Sequence, residues 1–271
     1  MSEETSILPA YIPPKARSLF EPHRLFLMAV FAVIIFCAAW FMRWDWLPRY
    51  GGRLAYGVWQ TLVMLFWSSI VGFLLAVPIG LVQVTGPRPL AWLAKGFCSI
   101  IRGTPLLLQL WLLYYGLGSV FSQYPELKSS FLWPYLRQAW PYGFVTLMIS
   151  FAAYEGEVMR GAFAGVPRGE LEAARAFGMG RFTMFRRIWL PRAIHRALPT
   201  LAGETVLQLK STPLVATITV IDVYAIISRV RQDTFLTYEP LLLLALIYLC
   251  LTGILVAAFR FLESRIPTRE A

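Results

Sequence analysis

Apolar residues run along the chain in blocks of similar length, separated by short polar segments. Residues 25–42, 54–87, 103–125, 138–154 and 240–259 contain no Asp, Glu, Lys or Arg, and each approaches or exceeds the roughly 20 residues that cross a bilayer core as a helix. A sixth run, 197–227, is rich in Thr, Val, Ile and Leu and is interrupted by Glu204 and Lys210. Ionisable groups are costly there and should face protein or water. The pattern predicts an all-α integral membrane protein with about six transmembrane helices, at 25–42, 57–83, 98–120, 140–159, 197–227 and 240–259. Residues 1–24 are polar, with Pro9, Pro13, Pro14 and Pro22, and are expected to form a tail. The first apolar run ends in Phe41-Met42-Arg43-Trp44 with no small-residue cleavage pattern, so a retained helix is expected over a cleaved signal.

With six spans both termini share a side, and the basic residues say which. The side holding both tails and the segments 84–97 and 160–196 carries sixteen Lys and Arg against seven on the other, with Arg102 and Lys210 inside spans. The positive-inside rule then places both termini in the cytoplasm. It also accounts for the net charge of +10 in a chain that is 58% hydrophobic and only 15% charged, so the excess implies membrane lipid and no nucleic acid. Two aromatic groups, Trp40, Trp44, Trp46 and Tyr50, then Trp133, Tyr135, Trp140 and Tyr142, fall at expected outer ends of spans, either as headgroup anchors or as packing at loop corners. Cys37, Cys98 and Cys250 lie in apolar stretches without ligand spacing and are expected to behave as small hydrophobes. No metal constellation stands out.

The longest charged stretch, "ELEAARAFGMGRFTMFRRIWLP" at 170–191, falls on the cytoplasmic side. After Pro167, Arg168, Glu172 and Arg175 share one helical face, and Leu171, Ala174, Phe177 and Gly178 another. Gly178 and Gly180 suit a helix end and a turn. A second helix would align Phe182, Phe185 and Trp189 as an apolar stripe among Arg181, Arg186 and Arg187, with Pro191 limiting its extension. Residue pattern alone leaves two readings, a docking helix whose small side chains admit a partner, or a helix lying on the anionic inner leaflet.

"EAARAFG" followed by "IWLP", with Glu172, Ala173, Ala174, Gly178, Ile188, Leu190 and Pro191 in register, resembles the EAA-loop signature of ABC-importer permease subunits. Residues 100–117, 152–180 and 198–223 are similar to the polar amino acid branch, the histidine/lysine/arginine/ornithine and opine permeases, and 130–140 leans toward their second-subunit type. The likeness runs from about Gly52 to Arg265. It implies a five-helix permease core at 51–265 containing a coupling loop at 160–196, preceded by an extra helix and outer loop at 25–50 and the tail 1–24, and followed by a tail at 266–271. Permeases of this type usually have five spans and an external N-terminus, and one added span brings this N-terminus inside.

The resemblance further implies a bacterial inner-membrane subunit with no catalytic residue and no bound cofactor, ATP and Mg being held by cytoplasmic ATPase subunits. Consistent with that, the chain has no G-x-x-x-x-G-K-[ST] phosphate loop. An extracytoplasmic binding protein would deliver substrate, and a second permease subunit, more readily a different chain than a copy, would complete the path. The segment around Glu172, Ala173 and Ala174 would enter a groove of the ATPase.

For the substrate path, Arg102-Gly103-Thr104-Pro105-Leu106 and Lys210-Ser211-Thr212-Pro213-Leu214 repeat one pattern. These are paired helix breaks, which mark transporter sites, or ordinary helix starts. Glu155, Glu157 and Glu204 are acidic candidates for a cationic substrate, although Glu157 can also pair with Arg160 at i, i+3. An ion-coupled secondary transporter using the intramembrane Glu and Lys as relays is the competing function.

Overall fold

The computed structural model describes residues 41–265 throughout and scattered helical positions between 25 and 40. The expected tails 1–24 and 266–271, and much of the expected N-terminal span, lie outside the described residues. The chain divides into two compact units, Met1–Asp45 and Trp46–Ala271. In the first, the described positions up to Phe41 are helical, and 42–45 are irregular or turn. The second contains all the elements named below, and every regular element among its described residues is helical.

The axis of this unit is α1 (Leu47–Thr85) packed along α4 (Ala139–Ala164). At 1.5 Å per residue, the 39 residues of α1 extend about 58 Å, well beyond a bilayer core. Ser68, Gly72, Ala76 and Gly80 recur every fourth residue and are buried, the small-residue spacing that lets membrane helices approach closely. A Cβ on Gly72 would lie 2.9 Å from the Met148 carbonyl oxygen, and one on Gly80 2.7 Å from the Arg160 backbone nitrogen. Buried against this stripe, α4 has no need to be strongly apolar, and it does carry Glu155 and Glu157.

Between them in sequence, α2 (Arg88–Gly103) and α3 (Leu106–Ser122) meet at a bend of 102°. This corrects two expectations, a loop at 84–97 and a single span at 98–120. Pro105 is the cause: the residue before a proline avoids the helical region, and Thr104 is extended, with φ −114° and ψ 144°. The Gln109 side-chain amide closes the break, donating to the Ile101 carbonyl at 2.7 Å and the Thr104 hydroxyl at 2.8 Å. Beyond the break, α3 contains a wide π turn at Leu112–Leu117.

After α5 (Arg168–Ala176), α6 runs from Arg181 to Ile218 and meets α7 (Val223–Thr234) at a 54° bend. The expected span 197–227 is thus the second half of a longer helix plus the start of another. Nor does Pro191 end the helix. A π turn at Phe185–Trp189 precedes it, a common way for a helix to absorb a disturbed hydrogen-bond ladder. Only after a 3-10 segment, Thr212–Ile218, does the chain turn, at left-handed Thr219 with φ 71°. Asp222 then caps α7 by accepting from the Ala225 N–H at 2.8 Å. The last helix, α8 (Tyr238–Ser264), and α1 are each long and apolar enough to cross a membrane, and the two bent pairs qualify when each is taken together.

Candidate coupling segment and membrane cavity

The Glu172 segment stands on an aromatic and aliphatic base formed by α4 and α6. Phe163, Val166, Ala193 and Ala197 are buried there, with Leu171, Phe185, Trp189 and Leu190 packed against them. The Trp189 indole N–H donates to the Phe163 carbonyl at 3.0 Å, and its ring meets that of Phe163 edge-on at 5.5 Å. Glu170 and Arg192, 2.9 Å apart, tie α5 to α6.

Helix α5 ends in a paired-hydrogen-bond cap: the Gly178 N–H donates to Arg175 and the Met179 N–H to Ala174, at 2.9 and 3.1 Å. This cap requires a left-handed residue, which is Gly178, at φ 75°; Gly180 is ordinary extended backbone at φ −61°. Ala174 is buried, whereas Glu172 and Ala173 face outward with Phe177, which is 86% exposed. Phe182, 75% exposed, also faces outward. Phe177 therefore leaves the face shared by Leu171 and Ala174, and Phe182 leaves the stripe of Phe185 and Trp189. The structure places Ile188, Leu190 and Pro191 partly buried, with Leu190 in the base. Glu172, Ala173 and Gly178 are on the open side.

The proposed path residues separate into three environments. Glu204 and Lys210 line one cavity of about 290 Å³, with Ser150, Tyr154, Gln208 and Leu106. Gln208, missed in the sequence, is buried and donates to Ser68 at 3.2 Å and to the Leu147 carbonyl at 2.9 Å, tying together α1, α4 and α6; an amide within a long apolar run was the available signal. Arg102 and Glu157 belong to a second, polar pocket, where Glu157 lies 2.8 Å from Arg160 and 4.0 Å from Arg102. Glu155 is fully buried, with neither carboxylate oxygen hydrogen-bonded.

The two Thr-Pro segments differ. Thr104 is exposed at a true break, but Thr212 is fully buried and bonds the Leu209 carbonyl at 2.8 Å and the Tyr248 hydroxyl at 3.0 Å. They are nevertheless brought together. Trp111, on α3, donates to Thr217 at 3.1 Å, and Leu106 shares the cavity with Lys210.

A helical bundle with bent spans, an open cavity lined by Glu204 and Lys210 and a braced hairpin at one end fits a membrane permease. Residues 68–267 match the family described as binding-protein-dependent transport system inner membrane component, and the chain belongs to that family. It is 38% identical over 220 residues to the octopine transport system permease protein OccM of Rhizobium radiobacter, spanning 76% of this chain and 87% of that one. To the histidine/lysine/arginine/ornithine transport system permease protein HisM of Escherichia coli K12 it is 34% identical over 211 residues, 77% and 87% of the two chains. A crystal structure of an amino acid ABC transporter with histidines superposes with a TM-score of 0.70 at 28% identity, covering 83% of this chain and 99% of that one. An inward-facing structure of the MetNI methionine ABC transporter shares the fold, with TM-score 0.58, 21% identity and 78% and 93% coverage. The chain is an ABC-importer permease of the inner membrane, and these relatives support that reading over an ion-coupled secondary transporter.

Proposed function

We propose that this permease carries polar amino acids, with basic amino acids or opines as the substrate class, and that it hydrolyses nothing itself. The observation that carries the reading is the pairing of Glu204 and Lys210 on one cavity wall. An amino acid needs a carboxylate for its cationic groups and a donor for its own carboxylate, and both line one open cavity. The names of its octopine and histidine/lysine/arginine/ornithine relatives point to the same chemistry. Arg102, Thr104, Glu157 and Thr212 support the path from outside this cavity, the first three at the break and the polar pocket, the last by holding α6 to α8.

Coupling follows from the hairpin. Glu172, Ala173 and Gly178 form the surface that enters an ATPase subunit, with Ile188, Leu190 and Pro191 as its brace, and both termini lie on that cytoplasmic side. A second, different permease subunit completes the path, and an extracytoplasmic binding protein delivers substrate. Uptake of labelled arginine, histidine and octopine into cells expressing the complete transporter tests the reading. Glu204→Gln should lower uptake of the cationic substrates about tenfold, the worth of one charge-assisted bond, with normal membrane levels. Unchanged uptake by both Glu204→Gln and Lys210→Gln would remove the cavity from the path.

A further inference from the structure

At the hairpin end of the bundle, the polar pocket between α1, α2 and α4 has a volume of about 360 Å³ and is lined by Gln83, Lys95, Cys98, Arg102, Glu157 and Arg160. Three cations face one carboxylate. Glu157 is engaged by Arg160 at 2.8 Å and Arg102 at 4.0 Å, which leaves the pocket with an excess of positive charge centred toward Lys95. Gln83 is 8% exposed, and its amide oxygen has no partner. Its amide nitrogen has only the Cys98 sulfur, at 3.7 Å. The buried Gln83 amide thus adds a polar group to the pocket wall without neutralising its cations.

The helix carrying Lys95 and Arg102 is itself unusual. α2 turns by 102° from α3, so it lies across the direction of that arm rather than along it. Trp92, Leu93 and Ile100 on α2 are 78%, 70% and 66% exposed. Trp92 stands one turn before Lys95 on the face that continues through Ser99 and Arg102. An apolar, aromatic surface adjoining a basic pocket is the composition of a site for a lipid that has both a negative headgroup and acyl chains.

We propose that this pocket binds the headgroup phosphate of an anionic phospholipid, with its chains lying along Trp92, Leu93 and Ile100. Lys95 and Arg102 meet the phosphate, and Glu157 holds Arg102 and Arg160 in place. A free anion would use the cations but has no need of the exposed apolar face, and that face decides for the lipid.

Native mass spectrometry of the full chain purified in mild detergent, with phosphatidylglycerol or phosphatidylethanolamine added back, tests the assignment. One phosphatidylglycerol should be retained per chain in preference to phosphatidylethanolamine. Lys95→Gln, at an exposed position, should weaken that retention about fivefold, the worth of one cation near an anionic lipid surface, and Lys95→Arg should restore it. Equal retention of the two lipids by the unaltered chain, or retention insensitive to Lys95→Gln, would overturn the proposal. So would saturable binding of inorganic phosphate in phosphatidylcholine nanodiscs, if it depended on Lys95 while phosphatidylglycerol retention did not.

Discussion

Gly178 is the residue at which local chemistry and the proposed coupling role meet. Its φ of 75° costs an ordinary L-residue roughly 1–2 kcal/mol, but nothing lies within 4 Å of a Cβ placed there. Substitution therefore strains the cap without disturbing the core, and what it changes is the surface offered outward. Gly178→Asn, which tolerates the left-handed region, should keep normal membrane levels and most uptake. Gly178→Asp should insert equally well yet lose at least about tenfold in ATP-driven uptake, equivalent to about 1.4 kcal/mol of lost docking. Uptake normalised to membrane level distinguishes the two, and normal uptake by Gly178→Asp would remove this surface from coupling. Gly178 was legible in the sequence because a glycine closing a run of helix formers has few other uses. Phe182 was not, since the expected i, i+3, i+7 stripe assumes a regular helix, and the π turn at Phe185–Trp189 changes the spacing of faces within it. Thr212 was singled out for the substrate path, but its bond to Tyr248 was not legible, because that partner lies 36 residues away, beyond any local pattern.

The closeness of α1 and α4 is an element-scale property, and it explains where hydropathy succeeded and where it misplaced boundaries. The apolar runs of α1 and α8 were legible because each is long and apolar, and little of either is buried within the chain. The bent pairs were not legible as bent, because a run of apolar residues looks the same on either side of a proline. Pro105 and Pro213 follow the same residue type, yet the first marks a 102° bend, whereas at the second the α-helix passes into a 3-10 segment without a turn until Thr219. The packing of α1 rests on Gly72 and Gly80, whose added Cβ atoms would meet backbone at 2.9 and 2.7 Å and could be relieved only by moving a helix. Gly80→Ala should therefore destabilise by about 1–3 kcal/mol, as overpacking does, lowering Tm in detergent by about 2–4 °C per kcal/mol in a chain of this size. Gly51→Ala, in the same helix with nothing within 4 Å of its Cβ, should leave Tm unchanged or slightly raised. Equal Tm values for the two variants would show that α1 and α4 approach less closely than described.

Within the unit Trp46–Ala271, the hairpin and the cavity are joined by continuous packing, the path that the proposed coupling would use. The outward surface of α5 is braced by Trp189 against Phe163 of α4. One and a half turns before Phe163, α4 carries Glu157, beside Arg102 at the break; one turn further along it lines the cavity with Tyr154, Phe151 and Ser150. The same α6 that supplies Trp189 also supplies Glu204 and Lys210 to that cavity. On the proposed coupling role, movement of the hairpin against its base would act on both walls of the cavity, and coupling of this kind is a free-energy difference between two arrangements rather than a contact as such. Trp189→Phe isolates the brace, keeping an aromatic ring while removing the N–H that donates to Phe163. One such hydrogen bond contributes about 1 kcal/mol net, so the substrate-loaded binding protein should stimulate ATP hydrolysis by the reconstituted transporter about fivefold less. Assembly with the ATPase, measured by co-purification, should stay normal because Glu172, Ala173 and Gly178 are untouched. If stimulation were unchanged while co-purification held, the Trp189 brace would serve stability alone, and the signal would have to reach Glu204 and Lys210 through the backbone of α6.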